Sequence, residues 1–568
     1  MATTLPRNPE VADQFDLLAD LLELEGEEAF RVLAYRRAAT RIRETGTSVA
    51  QMALEGHARE LPGIGKTIEG KIVEIVNSGE IAALTRRKGR IPAEVVLFMR
   101  LPGLGPKTAR KIWKDLGVTT LAGLREAAAG ERIRTLPGLG AKLEENIVSA
   151  LAQARPTERA RPLLGTGLPA VLAVVEELRA HPAAVQVSEA GSVRRRRETF
   201  RDLDIIATAK DAPALIGHFV SLPMVAKVVA KGGTKATVIS NGGLRFDLRV
   251  VPPESYGSLL QHFTGSKDHN VAMRERAVKE GLSLSEYAIT VVETGEELRF
   301  ATEQEFYEHL GYQWIPPELR ENMGELEAAR RGELPKLVEL RELKGDLHTH
   351  TDWSSDGRNS LEEMARAAQA RGYAYYAVTD HSHYLREGRL QRQWEEIDAL
   401  NARMKPFRIL KGVEVNIRAD GSLDMPDEEL AQLDWVVASI HSVFHREPTE
   451  RVMATMENPN VDVIGHLTGR KINKRPPAPI DLERVIAKAL ETGCALEINS
   501  QPDRLDLRDA NARLAGEAGV PIAVSSDAHR ISAQDYVELG IGQARRAWLT
   551  RNQVLNTRTW AQIERTLR

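Results

Sequence analysis

Gly345-Asp346-Leu347-His348-Thr349-His350 opens a pattern that recurs to the end of the chain. An apolar, strand-like run ends in His, Asp or Glu, and a helical stretch follows. Later members run from Tyr376 to Asp380-His381, Lys411 to Glu414, Val437 to His441, Val463 to His466, Ala495 to Asn499 and Ile522 to Asp527-Ala528-His529. Seven alternations of strand and helix predict a parallel sheet, and donor groups at the carboxyl ends of successive strands are the signature of a β/α barrel. The expected fold of residues 343–568 is a distorted (β/α)7 barrel.

The strand ends carry the chemistry. His348 and His350, two apart, can address one metal, and Asp356, His381, Glu414, His441, His466, Asp527 and His529 are expected on the same face. Nine nitrogen and oxygen donors without thiolate suit Zn2+, Mn2+ or Fe2+, and are enough for three ions. Such a cluster activates water and neutralises phosphate oxygens, so hydrolysis of a phosphoester is the implied reaction. A lone buried histidine is more often a core residue than a ligand, but a strand-end series is not explained that way. The His-x-His, Thr-Asp-His, Gly-Val-Glu and Ser-Asp-Ala-His phrases resemble the polymerase-and-histidinol-phosphatase (PHP) family. The resemblance implies one ion on His348, His350, Glu414 and Asp527, a second on Glu414, His441 and His466, and a third on Asp356, His381 and His529. His383 and His445 fit no ligand position.

Toward the N-terminus, Glu318–Lys344 is rich in Glu, Arg and Leu with Pro316, Pro317 and Pro335 as breakers, and reads as a helical linker. Before it lies a second constellation. In Arg201-Asp-Leu-Asp-Ile-Ile206 the two-residue period of a strand puts Asp202 and Asp204 on one face and Leu203 and Ile205 on the other. Asp247 shares a face with Arg245 and Arg249, opposite Phe246, Leu248 and Val250. Three such carboxylates could hold two Mg2+ or Mn2+ ions for phosphoryl transfer. Upstream, Gly191-Ser192-Val193-Arg194-Arg195 combines small residues with hydroxyl and guanidinium groups suited to a triphosphate. This order, continued through Phe263-Thr-Gly-Ser266, Asn270 and Arg274, resembles the palm and thumb of DNA polymerase beta and its relatives, the family X polymerases. The resemblance implies that Asp202, Asp204 and Asp247 are the catalytic metal ligands and that Gly191, Ser192 and Arg195 hold the triphosphate. It places Phe263 and Gly265 beside the sugar, and Asn270 and Arg274 near the nascent base pair and template. His262-Phe263 replaces the Tyr-Phe pair of vertebrate relatives, which bears on discrimination against ribonucleotides.

The first residues read as short amphipathic helices and contain one phrase three times: Leu61-Pro-Gly-Ile-Gly65, Leu101-Pro-Gly-Leu-Gly105 and Leu136-Pro-Gly-Leu-Gly140. The glycine pairs (Gly63 and Gly65, Gly103 and Gly105, Gly138 and Gly140) make tight turns that leave backbone N–H groups free at the start of the next helix, where an anion is favoured. This is the helix-hairpin-helix phrase, and three copies argue for sequence-independent DNA binding. Lys71 matches the position of the Schiff-base lysine in lyase members of the family, with Thr67 in place of a supporting lysine. A nucleophile for an abasic site and a simple 5′-phosphate ligand are both open readings of Lys71.

The chain has 568 residues, 42% hydrophobic and 28% charged, with a net charge of −3 and a single cysteine, Cys494. That size requires several domains, and no apolar run is long enough to span a bilayer. A cytoplasmic, nucleoid-associated monomer without a disulfide is expected. The net charge hides local basic runs at Arg36, Arg37, Arg41 and Arg43 and at Arg86, Arg87, Lys88 and Arg90, the kind of surface a phosphate backbone senses. The predicted architecture is multidomain: α-helical helix-hairpin-helix domains over 1–85 and 86–155, an α+β nucleotidyltransferase palm over 156–260 and thumb over 261–317, a linker over 318–342, and the barrel. The resemblance implies a base-excision repair polymerase that uses dNTPs to fill gapped or nicked duplex DNA, and a PHP site with 3′–5′ exonuclease and AP-endonuclease activity. Two rival readings are a small-ester phosphatase fused to the polymerase and a non-enzymatic DNA-binding scaffold.

Overall fold

The computed structural model describes residues 5–6, 8–44, 48–61, 63–99, 104–140, 143–144, 147, 161–444 and 446–567. They fall into two compact units, Met1–Ala160 with Asp211–Arg249, and Arg161–Lys210 with Val250–Arg568.

The first unit is mainly helical. Helices Asn8–Glu25 and Ala29–Glu44 pack side by side around a core that includes Phe15, Leu18, Leu22, Phe98 and Ile112. Helix Lys66–Ser78 buries Ile68, Ile72 and Ile75, one face at helical spacing. The turn before it has Gly63 at φ +87°, a conformation L-residues avoid, and Gly65 caps the helix without a side chain. Helix Pro106–Leu116 begins the same way, with Gly105 at the cap and Pro106 in the first turn. Gly138 repeats the left-handed conformation at φ +80°. Gly103 lies outside the described residues. Strands Val225–Lys231, Lys235–Ser240 and Arg245–Val250 form an antiparallel meander in this unit.

The second unit begins with helix Leu164–Arg179 and the antiparallel pair Ala184–Glu189 and Leu203–Ala209. Helices Tyr256–Thr264 and Lys267–Lys279, a three-stranded sheet and helix Glu303–His309 follow. The last helix is fixed at its start by a reciprocal capping box between Thr302 and Glu305. The stretch expected to be a helical linker folds as one short α-helix, Glu325–Arg331, between 3-10 turns at Pro317–Leu319 and Leu340–Glu342, and Leu319, Leu326 and Leu337 join the core formed by Phe306, Tyr307 and Ile315.

The barrel has seven strands: β1 (Gly345–Asp346), β2 (Tyr375–Val378), β3 (Arg408–Asn416), β4 (Trp435–Ser439), β5 (Val463–Gly465), β6 (Ala495–Asn499) and β7 (Ile522–Ser525). Consecutive strands pair in parallel throughout. Residues just beyond β1 and β7 nearly close the ring: the His350 N–H donates to the Ala528 carbonyl at 2.8 Å and the Asp527 N–H to the His348 carbonyl at 2.9 Å. Side chains alternate as the pleat demands. Tyr375 and Ala377 join Leu347, Trp435 and Val463 in one cluster, while Tyr376 and Val378 join a second cluster with the helices. With its interior filled, the barrel offers chemistry at its carboxyl-end rim.

Candidate active sites

The residues that follow the barrel strands meet around three carboxylates. Glu414 is the hub: its Oε2 lies 2.8 Å from His381 Nδ1 and 3.5 Å from both His348 Nε2 and His350 Nε2, and its Oε1 lies 3.1 Å from His466 Nε2 and 3.2 Å from His441 Nε2. Asp527 Oδ1 is 3.3 Å from His350 Nε2 and 3.8 Å from His348 Nε2. Asp356 Oδ2 is 3.2 Å from His529 Nε2 and 3.4 Å from His381 Nε2. All nine expected donors are therefore brought together. His383 sits one ring away from His381, with centroids 5.4 Å apart; His445 is outside the described residues.

The electrostatics follow from burial and from this crowding. Burial, with His529 and His381 close by, lowers the His350 pKa to about 3. Burial and the Arg504 guanidinium lower that of His466 to about 3. At His381 burial works the other way from the Glu414 and Asp356 carboxylates, which prevail and push it up to about 10. Burial opposes ionisation of Glu414, but the histidines around it hold its pKa well below the usual carboxylate range. Divalent cations fit this arrangement on two counts. His348 Nε2 and His350 Nε2 are buried without a hydrogen-bond partner, and triplets such as His348, His350 and Glu414 keep their ligand atoms within 4.8 Å of one another. Buried polar atoms left unpaired are costly unless something coordinates them.

A supporting layer went unnoticed in the sequence. Glu497, on β6, places Oε1 2.7 Å from His348 Nδ1 and accepts the His466 N–H on Oε2 at 2.7 Å. Asn499 donates to Asp527 Oδ2 at 2.9 Å. Asn416 Oδ1 sits 2.6 Å from His441 Nδ1, and Asn416 is itself gripped by Asp424. Each partner occupies the outer nitrogen or oxygen of a candidate ligand and turns the other toward the cluster, an arrangement that would serve as the second layer of a metal site. The one available signal was the alternation of Glu497 and Asn499 along a strand whose end alone had been singled out.

In the same unit, Asp202 immediately precedes strand Leu203–Ala209 and Asp204 lies on it; both are half-buried while Leu203 and Ile205 are buried. Gly191 turns against Asp204. It has φ +65°, and a Cβ there would stand 2.3 Å from Asp204 Oδ2, so only glycine leaves the carboxylate its place. The Ala190 N–H donates to the Asp204 carbonyl at 2.8 Å, fixing the Gly191-Ser192 turn on the strand. Arg195 reaches from this turn to the carbonyls of Thr264 and Gly265, at 2.7 and 3.2 Å. Gly265 admits Asn270, whose amide donates to the His262 carbonyl at 2.8 Å. A cavity of about 320 Å3 is lined by Arg195, Phe263, Gly265, Asn270 and Arg274, which are five of the expected nucleotide contacts. Glu321 braces Arg195 at 3.0 Å, and Arg546 braces both Glu321 and the Arg195 carbonyl at 2.9 Å. Neither Glu321 nor Arg546 was picked out in the sequence.

Asp247 belongs to the other unit, on strand Arg245–Val250, whose alternation of exposed and buried residues is the expected one. Its carboxylate accepts from Arg245 Nε at 2.8 Å and from the Thr237 hydroxyl. Lys71 is half-buried on helix Lys66–Ser78. No helix among the described residues is long and apolar enough to cross a membrane.

Comparison with known proteins finds family models in both halves of the chain. Models of the helix-hairpin-helix domain and the SAM-like helix-hairpin-helix tandem match residues 6–81 and 95–153. The DNA polymerase beta thumb matches 259–321 and the PHP domain 346–501. A Bacillus subtilis (strain 168) protein named DNA polymerase/3′-5′ exonuclease PolX is 40% identical over 562 residues, 97% of each chain. Proteins named "Probable phosphatase" align over a shorter part of the chain. One from Thermoanaerobacter sp. (strain X514) is 34% identical over 37% of this chain and 89% of its own length, and one from Aliivibrio fischeri (strain ES114) is 30% identical over 38% and 89%. With one relative aligned over nearly the whole of both chains and family models for the helix-hairpin-helix, thumb and PHP regions, this chain belongs to the family X DNA polymerases that carry a C-terminal PHP domain.

Proposed function

We propose that the protein is a repair polymerase that fills short gaps in duplex DNA from dNTPs, and that its barrel is a 3′–5′ exonuclease that also incises at abasic sites. The observation that carries the second half is the meeting of six histidines around Glu414, Asp527 and Asp356; the division into three ions is the one that the PHP resemblance implies. Zn2+, Mn2+ or Fe2+ held there would supply Lewis acidity and an activated water. Around them Glu497, Asn499 and Asn416 hold the ligands in one orientation. The polymerase half rests on Asp202, Asp204 and Asp247 as ligands for Mg2+ or Mn2+. Ser192 and Arg195 grip the triphosphate, Phe263 and Gly265 border the sugar, and Asn270 and Arg274 read the position of the nascent pair and template. The helix-hairpin-helix turns at Gly63-Gly65, Gly103-Gly105 and Gly138-Gly140 hold DNA by its phosphates. The division into two helical domains, palm, thumb and barrel at the boundaries given above belongs to this reading.

One gel tests both halves. Labelled gapped DNA is incubated with Mn2+ and dNTPs and either the intact protein, Asp202→Ala/Asp204→Ala, or His348→Ala/His350→Ala. Extension is expected to vanish only with the aspartates and 3′-shortening only with the histidines. Shortening that survives the histidine changes would overturn the nuclease assignment. Hydrolysis of small phosphate esters without action on DNA would instead favour the phosphatase reading, to which the chain's partial similarity to proteins named as phosphatases belongs.

A further inference from the structure

Beside the metal-ligand cluster a cavity of about 440 Å3 is walled by Arg358, Lys471, Arg504 and Arg530 around the ligands Asp527 and His529. A second cavity, of about 520 Å3, is lined by Glu198, Arg470, Lys471, Lys474 and Arg475. Lys471 borders both, so one row of cations leads from the barrel rim into the neighbouring hollow.

The row is built on a tight hairpin. Lys471 and Arg475 exchange backbone hydrogen bonds at 2.9 and 2.8 Å, the Ile472 N–H donates to the Asp503 carbonyl at 2.7 Å, and Asn473, at φ +64°, donates its amide to the Arg161 carbonyl at 2.9 Å. Arg470 is spent on Glu198, at 2.8 Å, and on the Leu505 carbonyl. The other cations are under-neutralised. Lys471 and Lys474 share one carboxylate, Asp503, at 3.1 and 3.7 Å. Arg475 places its guanidinium carbon over the Phe444 ring, 3.7 Å from its centroid, and donates Nε to the Gly469 carbonyl; among the described residues no carboxylate pairs with it. Cations fixed side by side on a rigid turn repel one another, and a row of phosphates relieves that repulsion.

We propose that the Arg470–Arg475 hairpin is a phosphate track, on which Lys471, Lys474 and Arg475 hold consecutive backbone phosphates of a single DNA strand while its 3′-terminal phosphodiester lies at the metal-ligand cluster. The track makes the barrel choose a strand end over a small ester. It reads no bases, because its groups are ammonium and guanidinium donors suited to phosphate. The inference rests on the phosphodiesterase reading of the barrel.

The test uses the full-length protein with Mn2+ and compares it with Lys474→Ala/Arg475→Ala on three substrates: bis(p-nitrophenyl) phosphate, a dinucleotide and a long single-stranded oligonucleotide. The variant is expected to keep kcat/KM for the ester and the dinucleotide within about twofold, and to lose about tenfold or more on the long strand. For two lost contacts at about 0.7 each, the slope of log KM for the strand against log salt falls by about 1.4. Equal strand KM and equal salt slope in the two proteins, with ester hydrolysis intact, overturn the track and leave the barrel reading standing. A wild-type protein that cleaves the ester but no strand overturns the barrel reading itself. Should the double variant lose ester hydrolysis, Lys474→Glu takes its place. That side chain is 71% exposed and pairs with Asp503 at 3.7 Å; the same comparison then decides.

Discussion

Glu497 offers the sharpest test of how the barrel site is held. One of its oxygens sits 2.7 Å from His348 Nδ1 and the other accepts the His466 backbone N–H at 2.7 Å, with the carboxylate itself 1% exposed. In Glu497→Gln the shape persists but the negative charge beside His348 is gone. An amide facing Nδ1 can offer N–H where the imidazole needs an acceptor, which frees the ring to present the wrong tautomer to the cluster. Removing such an outer partner typically costs 10- to 100-fold in metal affinity, or about 1.4 to 2.8 kcal/mol. The assay is 3′-shortening of single-stranded DNA during a Mn2+ titration in a metal buffer, with direct competition against a chromogenic chelator as the readout independent of turnover. The half-saturating Mn2+ concentration is expected to rise at least tenfold, with kcat at saturating metal recovered to within a few-fold. A variant with wild-type metal affinity by both measures would refute the argument that Glu497 orients His348, and with it the view that the outer layer was selected for metal retention.

Three further outcomes follow from the second unit. Glu303 is buried between Arg194 and Arg320, and although burial opposes ionisation, Arg320 and Arg194 bring its pKa down to about 2. A carboxyl held near 2 and not 4.5 contributes about 3 kcal/mol that is fully present above pH 4.5 and lost as pH falls toward 2. Amide exchange in helix Glu303–His309 should therefore accelerate across that window, and Glu303→Gln should expose the same amides at neutral pH; unchanged protection would refute it. Arg546→Ala, which removes the brace on Glu321 and on the Arg195 carbonyl, is expected to raise KM for dNTPs about tenfold, the worth of one charge-assisted hydrogen bond. Ester hydrolysis at the barrel should be untouched, Arg546→Lys should partly restore the KM, and an unaltered KM would dismiss the brace. Gly191→Ala should abolish nucleotide incorporation while exonuclease activity persists, since its Cβ would stand 2.3 Å from Asp204 Oδ2; retained incorporation would mean the turn is free to move.

What the sequence could disclose depended on how locally each residue's role is determined. A donor at a strand end is marked by its own neighbours, an apolar run before it and a helix after it, and so His348, Glu414, His466 and Asp527 can each be singled out as a candidate from local sequence. The carboxylates of Asp202 and Asp204 were likewise readable, because a two-residue period decides which face they share. Glu497 is different: it matters only because β6 lies beside β5 and one strand away from β1, a fact of tertiary pairing. Arg546 meets Arg195 across 351 residues of sequence, and no local pattern announces it. The stretch after Pro317 misled for a physical reason as well. Its charges and prolines read as a helical linker, yet Arg320 and Glu325 are buried, one paired with Glu303 and the other with His269 at 2.6 Å. Charge implies exposure only where no complementary charge waits inside, and those partners lie 17 and 56 residues away. The same rule explains why Lys471 and Arg475 passed unremarked among many surface cations. A basic residue becomes informative only when the fold shows that its neighbours fail to neutralise it, and here that failure is concentrated on one rigid turn beside the metal-ligand cluster.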